Sequence, residues 1–243
     1  MMTASKIKPR GSYMFVICLA ELNIAIENKY DYIKAMCRDY ITYNKADFCV
    51  SASDEEIQAE DKGTGFDRGY LESLAIYRKI AEKILDYNGF LMHGVVLDAD
   101  GCGIAFLAKS GVGKSTHTNL WKQLLGDKMT VINGDKPLVR IAGDTVFAYG
   151  TPWAGKENIH TNTKTILKKI CFIERSENNE CLEIGKDAVL ERLINQIYIP
   201  KNGTGLYLTL EYIKLLIEKC DFYLIKCNTE ISAAKTAYEV ITK

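Results

Sequence analysis

A glycine-containing stretch in the middle of the chain has the residue types needed to bind phosphate. The segment "AKSGVGKSTHTNLW" places Gly111 and Gly113 directly before Lys114 and Ser115. Glycine tolerates positive φ, so consecutive backbone N–H groups can turn inward around a phosphate. The lysine can then reach the β and γ phosphates, and the serine hydroxyl can bind Mg²⁺. We therefore expect this stretch to bind ATP together with Mg²⁺.

The residues predicted to hold the nucleotide form one continuous run. They are Ser110, Gly111, Val112, Gly113, Lys114, Ser115 and Thr116. The Walker A form of this motif begins with a glycine, at the position where this chain has Ala108. The extra methyl group lies where strand becomes loop, so we expect it to narrow the loop without removing its hydrogen-bond donors.

Elements of the type that this motif requires are predicted on both sides of it. "GIAFLAK" predicts a strand that enters the loop, and "STHTNLWKQLLG" predicts a helix that ends at Gly126. "FLMHGVVLD" predicts an earlier strand, and the connecting "ADGCG" is typical of a hairpin turn. The N-terminus of the helix would add its partial positive charge to the phosphate site.

The remaining chain alternates between strand-like and helix-like segments, which predicts an α/β fold. The later strands are "MTVING", "KPLVRIAG", "TVFAYGT", "KKICFIE" and "DFYLIKC", and the later helices are "DAVLERLINQIY", "LYLTLEYIKLLIEK" and "SAAKTAYEVIT". In the first part we predict a strand in each of "YMFVICLAELNIAIE" and "DFCVSAS" and a helix in each of "YDYIKAMCRDYI" and "YLESLAIYRKIAEKIL". We predict an acidic loop over "SDEEIQAEDKGTGFD". We predict a flexible terminus at 1–12, a smaller N-terminal α+β part at 13–88, and a P-loop domain at 89–243.

Composition restricts the class of protein and its partners. A chain of 243 residues with 47% apolar residues can bury a full core. Lysine plus arginine equals aspartate plus glutamate at 31 each, so we expect neither nucleic acid nor a membrane surface as a partner. The eight cysteines lack zinc-like spacing and suggest reduced thiols, and no apolar run has the length of a membrane helix. We therefore expect a cytoplasmic protein.

The segment "HGVVLDADGCGIAFLAKSGVGKST", residues 93–116, resembles the strand, turn, strand and P-loop of the HPr kinase/phosphorylase family. That family also opens this stretch with His-Gly and contains SGxGKS. "VINGDKPL" resembles the family's acidic pair, and phosphoenolpyruvate carboxykinases share the P-loop architecture. The matches cover residues 90–152. The resemblance implies a P-loop kinase core of the HPr kinase/phosphoenolpyruvate carboxykinase type, and extends to stand-alone kinases of free serine and of peptide precursors.

Two positions depart from the HPr kinase pattern. Thr116 follows the P-loop serine where those kinases have glutamate, and the acidic pair is reduced to Gly134 and Asp135. By resemblance Asp135 matches the second acid, which handles the proton in phosphoryl transfer to a serine hydroxyl. A carboxylate near the γ phosphate could act as that base or bind Mg²⁺, whereas an isolated aspartate in a turn is usually structural. Asp135 is therefore predicted both as a catalytic residue and, with Ser115, as a metal ligand.

Two further catalytic candidates are His93 and Lys156. His93 matches the family's active-site histidine and would orient Asp135 or contact a phosphate. Lys156 lies in "YGTPWAGKE", an ordered-loop composition, where it could supply a cation to the transferred phosphoryl group or be an ordinary solvated lysine. Lys136, next to Asp135, has the same two alternative roles, a cation for the phosphoryl group or a solvated lysine.

The other histidines and the tryptophans carry weaker functional signals. His117 lies in the predicted helix, where a surface or packing role is expected, and His160 lies in a polar stretch; neither has metal-site spacing. Trp121 and Trp153 are expected to pack rather than to stack on a base.

The predicted activity is transfer of the ATP γ-phosphoryl group to a hydroxyl of a protein, peptide or small molecule. A non-catalytic ATP-binding sensor is the main alternative, because one carboxylate of the pair is missing. A carboxykinase proper is a third possibility, although it would need a transition-metal site that the sequence does not display. The sequence identifies neither the phosphoryl acceptor nor the oligomeric state, for which a homo-oligomer is one alternative.

Overall fold

The computed structural model describes residues 13–63 and 65–242. The chain forms two compact units, one ending at Lys83 and the other beginning at Ile84. Both units contain helices and strands, so the fold is mixed α/β. The predicted flexible terminus, residues 1–12, lies outside the described residues.

The first unit contains a four-stranded sheet. Its strands are β1 (Tyr13–Leu19), β2 (Leu22–Asn28), β3 (Ile41–Thr42) and β4 (Phe48–Ser51), in the order β3-β1-β2-β4. β1 and β2 form an antiparallel hairpin, and both residues of its turn, Ala20 and Glu21, have positive φ. The single strand candidate at the start of the sequence is therefore two strands.

Three helices complete the first unit: α1 (Asp31–Met36), α2 (Asp54–Ala59) and α3 (Arg68–Lys83). The prediction of a loop over the acidic segment is wrong for its first part, because α2 occupies Asp54–Ala59. Its N-terminus is a capping box, in which Ser53 Oγ accepts from the N–H of Glu56 at 3.2 Å and the Glu56 carboxylate accepts from the N–H of Ser53 at 2.9 Å. Buried Ile57 anchors the helix.

The second unit contains a nine-stranded sheet. The strands are β5 (Gly89–Leu91), β6 (Val95–Ala99), β7 (Cys102–Leu107), β8 (Met129–Asn133), β9 (Leu138–Ala142), β10 (Thr145–Tyr149), β11 (Lys164–Arg175), β12 (Glu180–Glu183) and β13 (Asp221–Cys227). Their main order is β5-β9-β10-β11-β7-β6-β8, and β13 pairs with both β11 and β12. β7, β11 and β13 run parallel, so their carboxyl ends meet at one edge.

Helices cover both faces of this sheet. They are α4 (Lys114–Leu125), α5 (Leu190–Ile194), α6 (Gly203–Lys219) and α7 (Ile231–Ile241). Consecutive β6 residues Val96 and Leu97 belong to two different buried clusters, as strand alternation requires. α5 and α6 contribute to the cluster that contains Val96, whereas α4 and α7 contribute to the other.

The hairpin predicted before the glycine stretch is confirmed. Ala99 pairs with Cys102, and the two turn residues, Asp100 and Gly101, have φ of 52° and 81°. This Asp-Gly pair supplies the positive φ that a tight two-residue hairpin needs.

Two other element predictions need correction. "FLMHGVVLD" is not one strand, because β5 pairs with β9 while β6 pairs with β7 and β8. Met92, His93 and Gly94 lie between the two strands. A Cβ on Gly94 would lie 2.9 Å from the carbonyl oxygen of Phe106, so the backbone of β7 passes too close there for a side chain. The helix predicted over 187–198 is shorter in the structure, where only α5 lies in this range, and β12 was not predicted.

Among the described residues, no helix has both the length and the hydropathy of a membrane span.

Candidate functional site

The segment Ala108–Gly113, called the glycine loop below, connects β7 to the first turn of α4. Gly111 has φ of 80°, and Gly113, the N-cap of α4, has φ of 128°. A Cβ built on either glycine would meet no atom within 4 Å. Glycine is thus required here by backbone conformation rather than by lack of space. The predicted order of strand, loop and helix is confirmed.

Lys114, the first residue of α4, folds back over the glycine loop. Its Nζ donates to the carbonyl oxygen of Ala108 at 2.8 Å, and the residue is buried. Burial lowers the pKa of the Lys114 ammonium, and the negative charge of Asp135 opposes that shift. The ammonium therefore lies within electrostatic reach of both the loop and a carboxylate from another element.

The other predicted nucleotide residues occupy the loop and the first turn of α4. Ser110 and Thr116 are exposed, whereas Ser115 is half-buried. Half-buried Val112 donates its N–H to the carbonyl oxygen of Lys109 at 3.2 Å. Both predicted Mg²⁺ ligands, the Ser115 hydroxyl and the Asp135 carboxylate, are hard oxygen donors, which suits an ion that also binds phosphate oxygens and water.

A buried asparagine fixes the turn that contains Asp135. Asn133 Oδ1 accepts from the N–H groups of Asp135 and Lys136 at 2.9 and 2.7 Å. Asn133 Nδ2 donates to the carbonyl and hydroxyl oxygens of Thr151 at 2.9 and 3.0 Å. The Thr151 hydroxyl in turn donates to the carbonyl oxygen of Lys136 at 2.9 Å. These bonds hold the backbone at Asp135 in one conformation.

His93 and Asp135 are in contact. His93 Nε2 lies 3.3 Å from Asp135 Oδ1, and Gly94 donates its N–H to the carbonyl oxygen of Asp135 at 2.8 Å. Burial raises the pKa of Asp135, but the bond from His93 and the positive charges of Lys136, His93 and Lys114 outweigh it and lower the pKa below its usual value. Asp135 is therefore a carboxylate at neutral pH.

A glutamine that the sequence did not single out connects His93 to the glycine loop. The carbonyl oxygen of Gln196 accepts from the N–H of His93 at 2.7 Å. With its amide oriented to satisfy its neighbours, the side-chain nitrogen of Gln196 lies 3.2 Å from the carbonyl oxygen of His93 and 3.3 Å from that of Ala108. Ala108 also accepts from Lys114, so one hydrogen-bonded network joins the loop to the histidine.

Arg175 is a second residue that the sequence did not indicate. It is the last residue of β11 and is exposed. Its Nε donates to the carbonyl oxygen of Val112 at 2.9 Å, and its Nη2 donates to that of Gly111. The only sequence signal is an arginine that closes an apolar strand, which is too common to indicate a site.

The loop that carries Lys156 touches the site through another residue. Gly155 has φ of 75°, and a Cβ built on it would lie 2.9 Å from the Cβ of Asp135. Lys156 itself is exposed, one residue beyond that contact. The half-buried Lys136 is one of the charges that lower the pKa of Asp135.

The residues expected to pack do so. His117 is buried and accepts from Trp121 Nε1 at 3.0 Å through its Nε2, and burial lowers its pKa to about 4. Trp121 and Trp153 are also buried. His160 forms an isolated backbone bridge with Asn133. Within residues 13–63 and 65–242, no three histidine, cysteine or acidic side chains cluster as a metal site would require.

Comparisons with known proteins identify no family for this chain. No protein-family model and no curated protein matches it. Among solved structures, the chain is similar to the Hpr(Ser) kinase/phosphatase from Coxiella burnetii, with 11% sequence identity and a TM-score of 0.29. That match covers 53% of this chain and 92% of the other. We therefore base the function on the site's own residues and geometry.

Proposed function

We propose that the protein binds ATP with Mg²⁺ at the glycine loop and transfers the γ-phosphoryl group to a hydroxyl. The observation that carries this proposal is the hydrogen-bonded network that joins Lys114 to Asp135. Lys114 Nζ donates to the carbonyl oxygen of Ala108 at 2.8 Å. The side-chain nitrogen of Gln196 lies 3.3 Å from that oxygen and 3.2 Å from the carbonyl oxygen of His93, and His93 Nε2 lies 3.3 Å from Asp135 Oδ1. A phosphate-binding lysine beside a carboxylate is the pair that phosphoryl transfer needs, one to neutralise the phosphate and one to accept a proton.

The glycine loop and the first turn of α4 would hold the phosphates. The backbone N–H groups of the loop and the positive end of the α4 dipole attract the anionic groups. Lys114 would exchange its bond to Ala108 for a phosphate oxygen. Mg²⁺, held by the Ser115 hydroxyl and by phosphate oxygens, would neutralise charge on the phosphates.

Asp135 would act on the acceptor. The acceptor oxygen forms a bond to the γ phosphorus as the bond to the ADP oxygen breaks, and the hydroxyl proton passes to the Asp135 carboxylate. His93 would hold that carboxylate in place through its 3.3 Å contact. The carboxylate would contribute both by orienting the hydroxyl and by accepting its proton.

The test is Asp135→Asn, which keeps the side-chain shape and removes the base. MgATP should still bind, while single-turnover transfer to hydroxyl-bearing acceptors, with water as the default acceptor, should fall by about 10² to 10⁴-fold. Asp144→Asn is the matched control, because Asp144 is exposed and pairs with Lys219. An unchanged transfer rate would remove Asp135 from the mechanism.

The same variant separates a base from a metal ligand. If Asp135 mainly binds Mg²⁺, affinity for MgATP should weaken together with turnover, and added Mg²⁺ should partly restore both.

A non-catalytic ATP sensor is the second candidate. Within the described part of the chain, Asp135 is the one carboxylate whose charge shifts the pKa of Lys114, and Gly134 occupies the adjacent position. A wild-type chain that binds MgATP without hydrolysis or transfer to any acceptor would favour the sensor over the kinase.

A further inference from the structure

Arg175 reaches the glycine loop because two strands run side by side. β11 is parallel to β7, with Phe172 paired to Leu107, so the end of β11 lies next to the point where β7 enters the loop. From there one guanidinium donates to two successive carbonyl oxygens, those of Gly111 and Val112. Two bonds from one rigid, planar group fix both an orientation and a distance.

Those two carbonyls determine how the loop presents its donors. The carbonyl of Gly111 shares a peptide plane with the N–H of Val112, and the carbonyl of Val112 shares one with the N–H of Gly113. In a trans peptide the N–H and C=O point in opposite directions. A group that holds the two oxygens therefore also sets the direction of the two N–H groups. The N–H of Val112 donates to the carbonyl oxygen of Lys109 at 3.2 Å, so the donor that Arg175 orients towards a phosphate is the N–H of Gly113, where φ reaches 128°.

We infer that Arg175 is a positioning residue that holds the glycine loop in the conformation that accepts phosphate. This inference rests on the proposed function, because it assigns the loop to phosphate. It concerns the guanidinium fork rather than positive charge alone, since a lysine ammonium is compact and lacks the fixed donor geometry that spans both oxygens.

The chain provides a matched control at the same strand end. Arg192 pairs with Glu174, the neighbour of Arg175, with 2.7 Å between Arg192 Nη1 and Glu174 Oε1. Arg192→Ala removes an arginine and an ion pair beside Arg175 without removing either bond to the loop.

The experiment compares Arg175→Ala, Arg175→Lys and Arg192→Ala in the full chain. Hydrogen–deuterium exchange of a peptide covering 108–114 is measured without nucleotide, and MgATP affinity is measured by calorimetry. We expect both Arg175 variants to exchange faster in this peptide and to bind MgATP about tenfold more weakly, with unchanged melting temperatures. Arg192→Ala should match the wild type in both measurements.

Two results would overturn the inference. One is wild-type exchange in Arg175→Ala, which would show that the loop keeps its conformation without the arginine. The other is wild-type affinity and exchange in Arg175→Lys alone, which would assign the effect to charge. A wild-type chain that fails to bind MgATP would instead refute the proposed function, and the exchange data would still decide whether Arg175 holds the loop.

Discussion

Asn133 uses its whole side-chain amide to support Asp135. It is fully buried, its oxygen accepts two backbone N–H groups, and its nitrogen donates to both oxygens of Thr151. Removing such a group leaves several buried polar atoms without hydrogen-bond partners. The free-energy cost of these unpaired atoms exceeds the net stabilisation that the hydrogen bonds provide in the folded protein. Asn133 thus positions Asp135 without itself reaching a substrate.

Asn133→Ala should therefore affect both stability and catalysis. We expect the free energy of unfolding to fall by about 2 to 4 kcal/mol, because the N–H groups of Asp135 and Lys136 lose their acceptor. Phosphoryl transfer should also fall, since Asp135 is no longer held. Urea unfolding measures the first effect and single-turnover kinetics the second. Asn119→Ala, at an exposed position on α4, is the control and should change neither.

His117 should make stability depend on pH. Its folded pKa is about 4, below the ordinary 6.5, so the unfolded chain binds more protons between these values. The contribution of His117 to stability is therefore fully present above pH 6.5 and is lost as pH drops towards 4, by up to about 1.4 kcal/mol per pH unit. Urea unfolding at pH 7.5 and 5 should show a smaller drop for His117→Gln than for the wild type. Equal drops would refute a neutral buried His117.

The glycine loop depends on backbone conformations that other residues rarely adopt. Gly113 combines φ of 128° with open space around its missing side chain. A substitution there would cost conformational energy and would cause no clash, so its effect reports on loop geometry alone.

Gly113→Ala should cost about 1 to 3 kcal/mol of backbone strain and weaken MgATP binding. Gly203→Ala is the matched control, because Gly203 begins α6, has no atom within 4 Å of a built Cβ, and lies where alanine favours the helix. Calorimetry and thermal melting should show a loss for the first variant and wild-type or better stability for the second. Wild-type MgATP affinity in Gly113→Ala would contradict the requirement for positive φ.

The elements that carry local signals could be predicted, whereas those fixed by distant contacts could not. The Asp-Gly hairpin and the loop before α4 follow from residue types that impose backbone conformation. The break before β6 accompanies a change of pairing partner, because β5 pairs with β9 and β6 with β7 and β8, and β12 pairs with β13. Neither pairing is visible in local sequence. Likewise Lys114 and Asp135 could be predicted because they belong to sequence motifs. Gln196 and Arg175 could not, because they belong to no motif and their side chains bond to backbone carbonyl oxygens.

At the scale of the whole molecule, the candidate site belongs to the second unit. The glycine loop, Asp135, His93, Gln196 and Arg175 all lie between Ile84 and the end of the chain. The chain as a whole carries no formal net charge at pH 7, so attraction of a phosphate must come from local groups such as Lys114 and the loop amides.

A chain that begins at Ile84 should therefore bind MgATP within about tenfold of the full-length affinity. Circular dichroism establishes whether it folds, and calorimetry measures the affinity. A folded fragment without nucleotide affinity would show that the first unit is required for binding.

The central claim is that the glycine loop binds ATP through Lys114, and calorimetry of Lys114→Met with MgATP tests it most directly. Methionine keeps a flexible apolar stem and removes the ammonium, while Lys122→Met changes an exposed lysine on the same helix and serves as the control. The wild type and Lys122→Met should bind MgATP equally, and Lys114→Met should bind at least about 100-fold more weakly without a lower melting temperature. Equal affinity in Lys114→Met, or no binding by the wild type, would contradict the account.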